Sequence, residues 1–312
     1  MIENLNVREL GERLEKYLHP VSASKEPEIL FALAATAYEN KIGENLENKI
    51  RDLDTKNYVK NFAERYSSAI ETACKELSND ELKNFVIFGE KCINHYGSLP
   101  SGVSDLIIRL TEVKSGDIFL NVAGGSEICF KNEIPDDTNL IGIEQNISTC
   151  RIIYICSAVT GRSVQVRMKS VLEPGLDWLQ ANKVFINLPA LNYRESGANV
   201  KEKIKTNPAL MKIYGDKEPE VSVWNFVLSA LESQMQPGKT VALLTNRDDL
   251  INDKGEYFRR GIVKNGRLEA VIALPEKIIH RFHKFYLMIF SQNNEKVKLV
   301  DASDIYRDRE KN

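Results

Sequence analysis

The residues whose types and spacing could do chemistry lie at the ends of short apolar runs. A glycine pair, Gly124-Gly125, follows the run DIFLNV, and an acid, Glu144, closes the run NLIGIE. Glycine lets the backbone turn sharply and approach a ligand, because it carries no Cβ. An acid about 20 residues beyond such a turn is placed to bind the hydroxyls of a ribose. The pattern indicates a site for an adenosine-containing cofactor, with a tight strand–helix connection as the alternative.

A third group of polar residues closes another apolar run. The run Val184–Ile186 ends in Asn187, and Pro189 follows two residues later, before the chain turns polar. In a sheet of parallel strands, ligands bind outside the carboxyl ends of the strands. The segment is therefore either an ordinary turn or a loop that belongs to the same site as the glycine pair.

The elements that must position these residues change character along the chain. Up to about residue 97, apolar residues recur at three- and four-residue steps, which predicts amphipathic helices. Beyond that point, short apolar runs alternate with helical stretches, as is typical of a mostly parallel sheet covered on both faces. We predict a helical N-terminal domain at 1–97 and a doubly wound α/β domain at 98–312. The predicted strands are DIFLNV, NLIGIE, VQVRM, KVFIN, TVALLT, EAVIAL and FYLMIFS.

Composition limits the possible partners. The formal net charge of -2 gives no bulk attraction to nucleic acid, so DNA binding would need a local basic patch or a partner chain. The most basic stretch, FRRGIVKNGR (258–267), is either a solvated helix surface or a phosphate-binding one. No apolar stretch approaches the roughly 20 residues that span a bilayer. The charged helical start is unlike a secretory signal, so we expect a cytoplasmic protein without a membrane anchor.

Cysteine and histidine give no sign of a metal centre. The five cysteines are scattered without a C-x-x-C pair, which indicates reduced, mostly buried thiols. His280 and His283 could share a helix face, but no acidic or cysteine ligand lies close to them in sequence. We therefore predict no metal site.

The order of motifs over residues 96–303 resembles that of amino-group DNA methyltransferases, in particular the modification subunits of type I restriction systems. YGSLPSGVSDLIIRLTEVKSGDIFLNVAGGSE resembles the T-P-R helix that leads into D-P-A-C-G-S-G, and LIGIEQN resembles G-x-E-x-N. The loop after the fourth strand resembles N-P-P-[FY]. The resemblance implies a Rossmann-like, S-adenosylmethionine-dependent methyltransferase domain with a mostly parallel, seven-stranded sheet.

The resemblance also implies roles for single residues. The catalytic positions would be Asn187 and Pro189, because this loop of the family accepts hydrogen bonds from the amine of a flipped-out adenine. Ser170 stands where the family often has an acid that holds the cofactor's adenine amine. The implied cofactor-binding positions are Asn121, Ala123, Gly125, Ser126, Glu144 and Ser170.

The chain departs from the family pattern at positions that matter for binding. Leu188 replaces the first proline of the loop, and Ala190 replaces the aromatic residue that stacks on the base, a contact worth about 1–3 kcal/mol. Tyr193 is a candidate substitute aromatic. In the turn, the family's leading acid is Asn121, and Glu127 puts a charged side chain where the backbone usually approaches the cofactor.

These departures favour a DNA methylase-like protein of the restriction–modification type that is weak or inactive in catalysis. It would act as a DNA-binding or assembly subunit, helped by a specificity or other subunit, in a homo- or hetero-oligomer. The alternative is an active adenine-N6 DNA methyltransferase with a variant loop. A third hypothesis is an α/β enzyme that uses another nucleotide cofactor or none. The resembling subunits continue further, so we expect the chain to be a fragment or to be completed by another polypeptide.

Overall fold

The N-terminal part of the chain is helical. The computed structural model describes, besides a few single positions, residues 7–18, 27–92, 99–169, 181–192, 235–251, 256–276 and 284–304. Ser78 and Glu81 form a capping box at the start of α6, in which each side chain accepts a hydrogen bond from the other residue's backbone. A 3-10 turn, Gly89–Cys92, follows α6 directly. The helices before it are α1 (Val7–Leu18), α2 (Pro27–Lys41), α3 (Leu46–Lys49), α4 (Leu53–Arg65), α5 (Ser67–Glu76) and α6 (Asn79–Phe88).

The rest of the described chain forms one sheet with helices around it. The strand order is β3-β2-β1-β4-β5-β7-β6-β8. Strands β1 to β5 pair in parallel, whereas β7 is antiparallel to both β5 and β6. The strands are β1 (Ile118–Val122), β2 (Asn139–Glu144), β3 (Val164–Met168), β4 (Lys183–Asn187), β5 (Thr240–Asn246), β6 (Leu268–Ala273), β7 (Phe285–Phe290) and β8 (Lys298–Asp301). The helices between them are α7 (Ser101–Thr111), α8 (Ile147–Thr160), α9 (Leu188–Asn192), α10 (Arg247–Ile251) and α11 (Glu256–Lys264).

The predicted α/β class and all seven predicted strands are confirmed, but the strand count of seven is wrong. The eighth strand, β8, pairs in parallel with β6 and lies at the sheet edge. All its residues are exposed, and Leu299 is 81% exposed. A short edge strand with no buried face carries no apolar alternation, so no local pattern predicts it.

The helical region, α1 to α6 with the 3-10 turn after them, shares one hydrophobic core with one face of the sheet and packs on α8. Phe119 and Phe185, on that face, belong to one hydrophobic cluster with residues of α2, α6 and α8. The opposite face, which carries Leu120, Val122 and Ile186, belongs to a separate cluster. The division at residue 97 into two domains therefore stays a prediction, because this core is continuous across it. Among the described helices, none is both long and apolar enough to cross a membrane.

A cation on α8 ties the sheet region to the N-terminal helices. Arg151 forms ion pairs with Glu28 of α2 at 3.2 Å and with Asp54 of α4 at 3.1 Å, and its guanidinium lies 4.4 Å from the centre of the Tyr58 ring. Glu28 is almost fully buried. Removing one partner of a buried pair is costly because the other charge stays unpaired.

We expect Arg151→Ala to lower the free energy of unfolding by about 3 kcal/mol, measured by urea denaturation. Adding Glu28→Gln should restore part of this loss, because no buried charge then stays unpaired. Arg8→Ala is the matched control: Arg8 pairs with Glu12 on the exposed surface of α1, where such pairs contribute little. Equal losses in Arg151→Ala and Arg8→Ala would contradict the assigned role.

Candidate functional site

Three of the candidate polar residues lie at or near the carboxyl ends of three adjacent inner strands of the sheet. Strand β1 pairs with β2 on one side and with β4 on the other, and Val122 is in register with Ile143 and Ile186. Asn121, Glu144 and Asn187 therefore come together at the carboxyl ends of these strands. The register and the alternation of side chains also place all three on the face that shares its core with the helical region. Their predicted convergence is confirmed, while their roles stay predictions.

The backbone after β1 turns sharply through two left-handed residues, Ala123 (φ 53°) and Gly125 (φ 76°). The Asn121 amide donates a hydrogen bond to the Gly125 carbonyl at 2.7 Å. The space over Gly124 is already filled: a Cβ there would overlap Asn121 Oδ1 and lie 2.6 Å from a carbon of the Phe185 ring. From the sequence, we expected glycine at 124 because a ligand would approach the backbone there. The structure shows a different reason: packing inside the protein leaves no room for a Cβ.

Gly124→Ala should lower the free energy of unfolding by about 3 kcal/mol, since Asn121 and Phe185 are both fully buried and cannot move aside. Thermal and urea unfolding measure the loss. The matched control is Gly102→Ala on α7, where a Cβ meets nothing within 4 Å and alanine favours the helix. A Gly124→Ala protein as stable as the wild type would contradict the packing described here.

Three successive backbone amides of the turn bind two buried carboxylates. Gly125 N donates to Glu144 Oε1 at 3.2 Å. Ser126 N and Glu127 N both donate to Glu90 Oε2, at 2.7 and 3.1 Å, and the Ser126 hydroxyl donates to the same oxygen at 2.8 Å. Glu90 and Glu144 are each 3% exposed. Sequence reasoning missed Glu90, because no motif marks it and it lies in the 3-10 turn of the helical region.

The residues after the turn run into the core. Ile128 and Cys129 are fully buried, and burial raises the pKa of the Cys129 thiol to about 12, so this thiol stays protonated. Glu127 is buried as well, and its carboxylate pairs with Lys131 Nζ at 3.0 Å. Lys131 also pairs with Asp105 of α7 at 2.7 Å. The charged residue that the sequence placed against a cofactor is thus held inside the protein.

The Glu90 carboxyl lies in an environment that disfavours its charge. Burial raises its pKa above the ordinary glutamate value, and the charge of Glu127 acts in the same direction, while the hydrogen bonds from Ser126 and Glu127 oppose the shift. The thiols of Cys129 and Cys156 lie nearby, and burial raises the pKa of both. A raised folded-state pKa means that the native protein binds this proton more tightly than the unfolded chain does.

The pH dependence of stability follows from that shift. The contribution of Glu90 is most favourable below the unfolded glutamate pKa of about 4.3 and is lost as pH rises through the folded pKa. In urea unfolding from about pH 4 to 7, Glu90→Gln should lack this part of the decline in the free energy of unfolding. Glu64→Gln, at an exposed position of α4, is the control. Parallel pH profiles of wild type and Glu90→Gln would exclude the raised pKa.

The candidate catalytic loop after β4 forms the short helix α9, and its residues 188–190 lie inside the protein rather than on an open surface. Leu188 and Ala190 are almost fully buried in the cluster on the opposite face of the sheet, and Pro189 is half-buried. Asn187 is 1% exposed, and its Oδ1 has no hydrogen-bond partner among the described residues. Four predicted features lie outside the described residues: Ser170, Tyr193, His280 and His283.

The basic stretch that sequence reasoning singled out forms helix α11 and the turn after it. Arg260 is exposed and pairs with Glu256 at 2.5 Å, and Lys264 is exposed. Arg259 donates a hydrogen bond to the Asp249 carbonyl of α10. Part of the positive charge is therefore used within the protein, and phosphate binding by this helix stays a prediction.

The sheet order and the polar carboxyl edge define a methyltransferase-like α/β protein. Residues 95–312 match the family model described as N-6 DNA Methylase, so the chain belongs to the N-6 DNA methylase family. A search of curated proteins gives no match.

Solved structures show the same fold at low identity. A type I restriction–modification methyltransferase subunit from Streptococcus thermophilus has a TM-score of 0.69 at 12% identity, covering 97% of this chain and 88% of that chain. A protein from Listeria monocytogenes, assigned as a class I S-adenosylmethionine-dependent methyltransferase, has a TM-score of 0.61 at 13% identity, covering 96% and 93%. A chain from Vibrio vulnificus is assigned as a modification subunit of a type I restriction enzyme. Its TM-score is 0.64 at 10% identity, and the match covers 94% of this chain and 82% of that chain.

Family membership implies S-adenosylmethionine as the cofactor, but the turn does not fit it in this conformation. Glu144 lies at the end of β2, as the sequence predicted, yet its carboxylate binds the Gly125 amide. The next two amides bind Glu90, and the space over Gly124 is filled by side chains. The amides of Gly125, Ser126 and Glu127 are thus all engaged within the protein.

Proposed function

We propose that this N-6 DNA methylase family member is weak or inactive in catalysis and acts as a DNA-binding or assembly subunit of a restriction–modification system. The observation that carries the proposal is the occupied turn: the amides of Gly125, Ser126 and Glu127 all donate to internal carboxylates. A cofactor would have to displace these bonds before it could bind there.

The loop after β4 supports the same proposal. Position 190 carries alanine, which is buried and offers no ring on which a flipped base could stack. Such stacking contributes about 1–3 kcal/mol in comparable sites. Leu188 is buried in the core, so the loop is anchored by apolar packing rather than shaped around a ligand. Catalysis that depends on aligning an extruded base would lose both affinity and geometry here.

The proposed partners are DNA and other subunits of such a system. The net charge of -2 gives little attraction to DNA, so the chain would bind it together with a specificity or other subunit. Helix α11, with exposed Arg260 and Lys264, is the candidate surface for phosphate contact. The cytoplasmic location expected from the sequence is compatible with a protein that works on DNA.

The alternative function is an active adenine-N6 DNA methyltransferase, and one observation favours it. Asn187 Oδ1 is a buried acceptor without a hydrogen-bond partner among the described residues, at the carboxyl end of β4. A buried acceptor left unpaired costs about 1–3 kcal/mol. An exocyclic amine of a base would satisfy it, as the family resemblance implies.

Calorimetry with S-adenosylmethionine and a methyl-transfer assay on duplex DNA separate the two functions. We expect no binding heat at millimolar cofactor and no N6-methyladenine. Micromolar binding lost in Glu144→Ala, together with methyl transfer lost in Asn187→Ala, would establish the alternative. The control is Gln165→Ala on β3, whose exposed side chain bonds only to Asn139 in the described part of the chain. It should leave every readout unchanged.

A further inference from the structure

The turn after β1 has the geometry of an anion-binding pocket. Gly125 is left-handed, with φ 76°, and Ser126 is right-handed, with φ -86° and ψ -41°. Successive residues of opposite hand turn their N–H groups toward one point and form a concavity that binds anions. The Ser126 hydroxyl adds a third donor that points at the same oxygen as the amides of Ser126 and Glu127.

The occupant of this pocket comes from the chain itself. Glu90 lies in the 3-10 turn that ends the helical region, 36 residues before Ser126. A single oxygen of its carboxylate accepts all three hydrogen bonds, at 2.7, 2.8 and 3.1 Å. Hydrogen bonds to an ionised acceptor are about twice as strong as neutral ones. The contact therefore fixes the turn and joins it to the helical region at the same time.

The position of Glu90 is costly for the protein. Glu90, Glu127 and Glu144 are three buried acids around one turn, and the Lys131 ammonium pairs with Glu127. Burial of a carboxylate is tolerated only where hydrogen bonds or cations compensate for the lost water. The donors of the turn supply part of that compensation, because their hydrogen bonds favour the ionised carboxylate, while burial still raises the pKa of Glu90.

We propose that Glu90 is a built-in ligand of the turn: it occupies a carboxylate-binding pocket formed by Ser126 and the Glu127 amide, and closes that pocket to carboxylates from outside the protein. This inference deepens the proposed function, on which it rests, by naming the group that closes the site. It also predicts that the pocket reappears when the Glu90 side chain is removed.

Chemical rescue tests the proposal without any measurement of methyl transfer. Glu90→Ala deletes the atoms beyond Cβ, which correspond to acetate. We expect acetate at about 100 mM to raise the melting temperature of Glu90→Ala by about 2–4 °C over sodium chloride of equal ionic strength. Wild type should show no such shift, because its pocket is filled. Acetamide, of the same size without charge, should stabilise Glu90→Ala clearly less than acetate does.

Val86→Ala is the matched control for the rescue. Val86 is fully buried on α6, the helix that leads into the 3-10 turn, and its truncation leaves a cavity without the donors of the turn. Acetate should not stabilise this variant beyond sodium chloride. Equal effects of acetate on Glu90→Ala and Val86→Ala, or no effect on a folded Glu90→Ala, would overturn the proposal.

Hydrogen exchange decides the question if Glu90→Ala does not fold with or without acetate. Glu90→Gln keeps the shape of the side chain but removes its charge. We expect the amides of Ser126 and Glu127 to exchange at least about threefold faster in Glu90→Gln than in wild type, because charge-assisted bonds are lost. The amide of Ala123, which donates to the Ile143 carbonyl, should be unchanged. Unchanged exchange at 126 and 127 would reject the proposal.

The outcome is independent of the test of function. If wild type methylates DNA, the proposed function fails, and the acetate rescue still reports whether the turn binds a carboxylate. If wild type is inactive and acetate does not rescue Glu90→Ala, the function stands and Glu90 is not the closing group.

Discussion

Backbone amides that are buried at the end of a strand must find acceptors, and in this protein that requirement shapes the whole carboxyl edge of the sheet. The turn after β1 exposes three successive N–H groups to a region from which water is excluded. Two carboxylates satisfy them, Glu144 from the neighbouring strand and Glu90 from the helical region. An amide left without a partner there would cost about 1–3 kcal/mol, so the position of both acids is dictated by the turn.

That requirement explains why the helical region and the sheet form one continuous core. Glu90 can reach Ser126 only when the helix that precedes it, α6, lies beside α8 and the turn after β1. The ion pair of Arg151 with Glu28 and the shared apolar cluster hold the helices in that place. The ion pair, the Glu90 hydrogen bonds and the apolar cluster therefore all favour the same arrangement of the helices. Such agreement favours a single well-defined native structure.

The candidate site combines strand ends that lie close together with polar groups that are engaged within the protein. Asn121, Glu144 and Asn187 still converge, because parallel pairing of β1, β2 and β4 fixes their neighbourhood whatever the side chains do. The donors of the turn, by contrast, face internal acceptors, and Leu188 and Ala190 after β4 are packed in the core. The strand pairing therefore decides where these residues lie, and the side chains decide what they bind.

The sequence by itself determined the seven apolar strands, the helical start, the glycine turn and the acid at the end of β2. Each of these depends on local pattern: a short continuous apolar run, the three- and four-residue repeat of apolar groups, or the spacing of a turn and a strand within one βαβ unit. The tertiary structure alone decided what the turn binds. Glu90 is far from Ser126 in sequence, and no local pattern records which buried acid meets which amide. The same holds for position 124, where glycine is needed because the Phe185 ring of the adjacent strand β4 fills the space. It also holds for β8, which forms by pairing with β6.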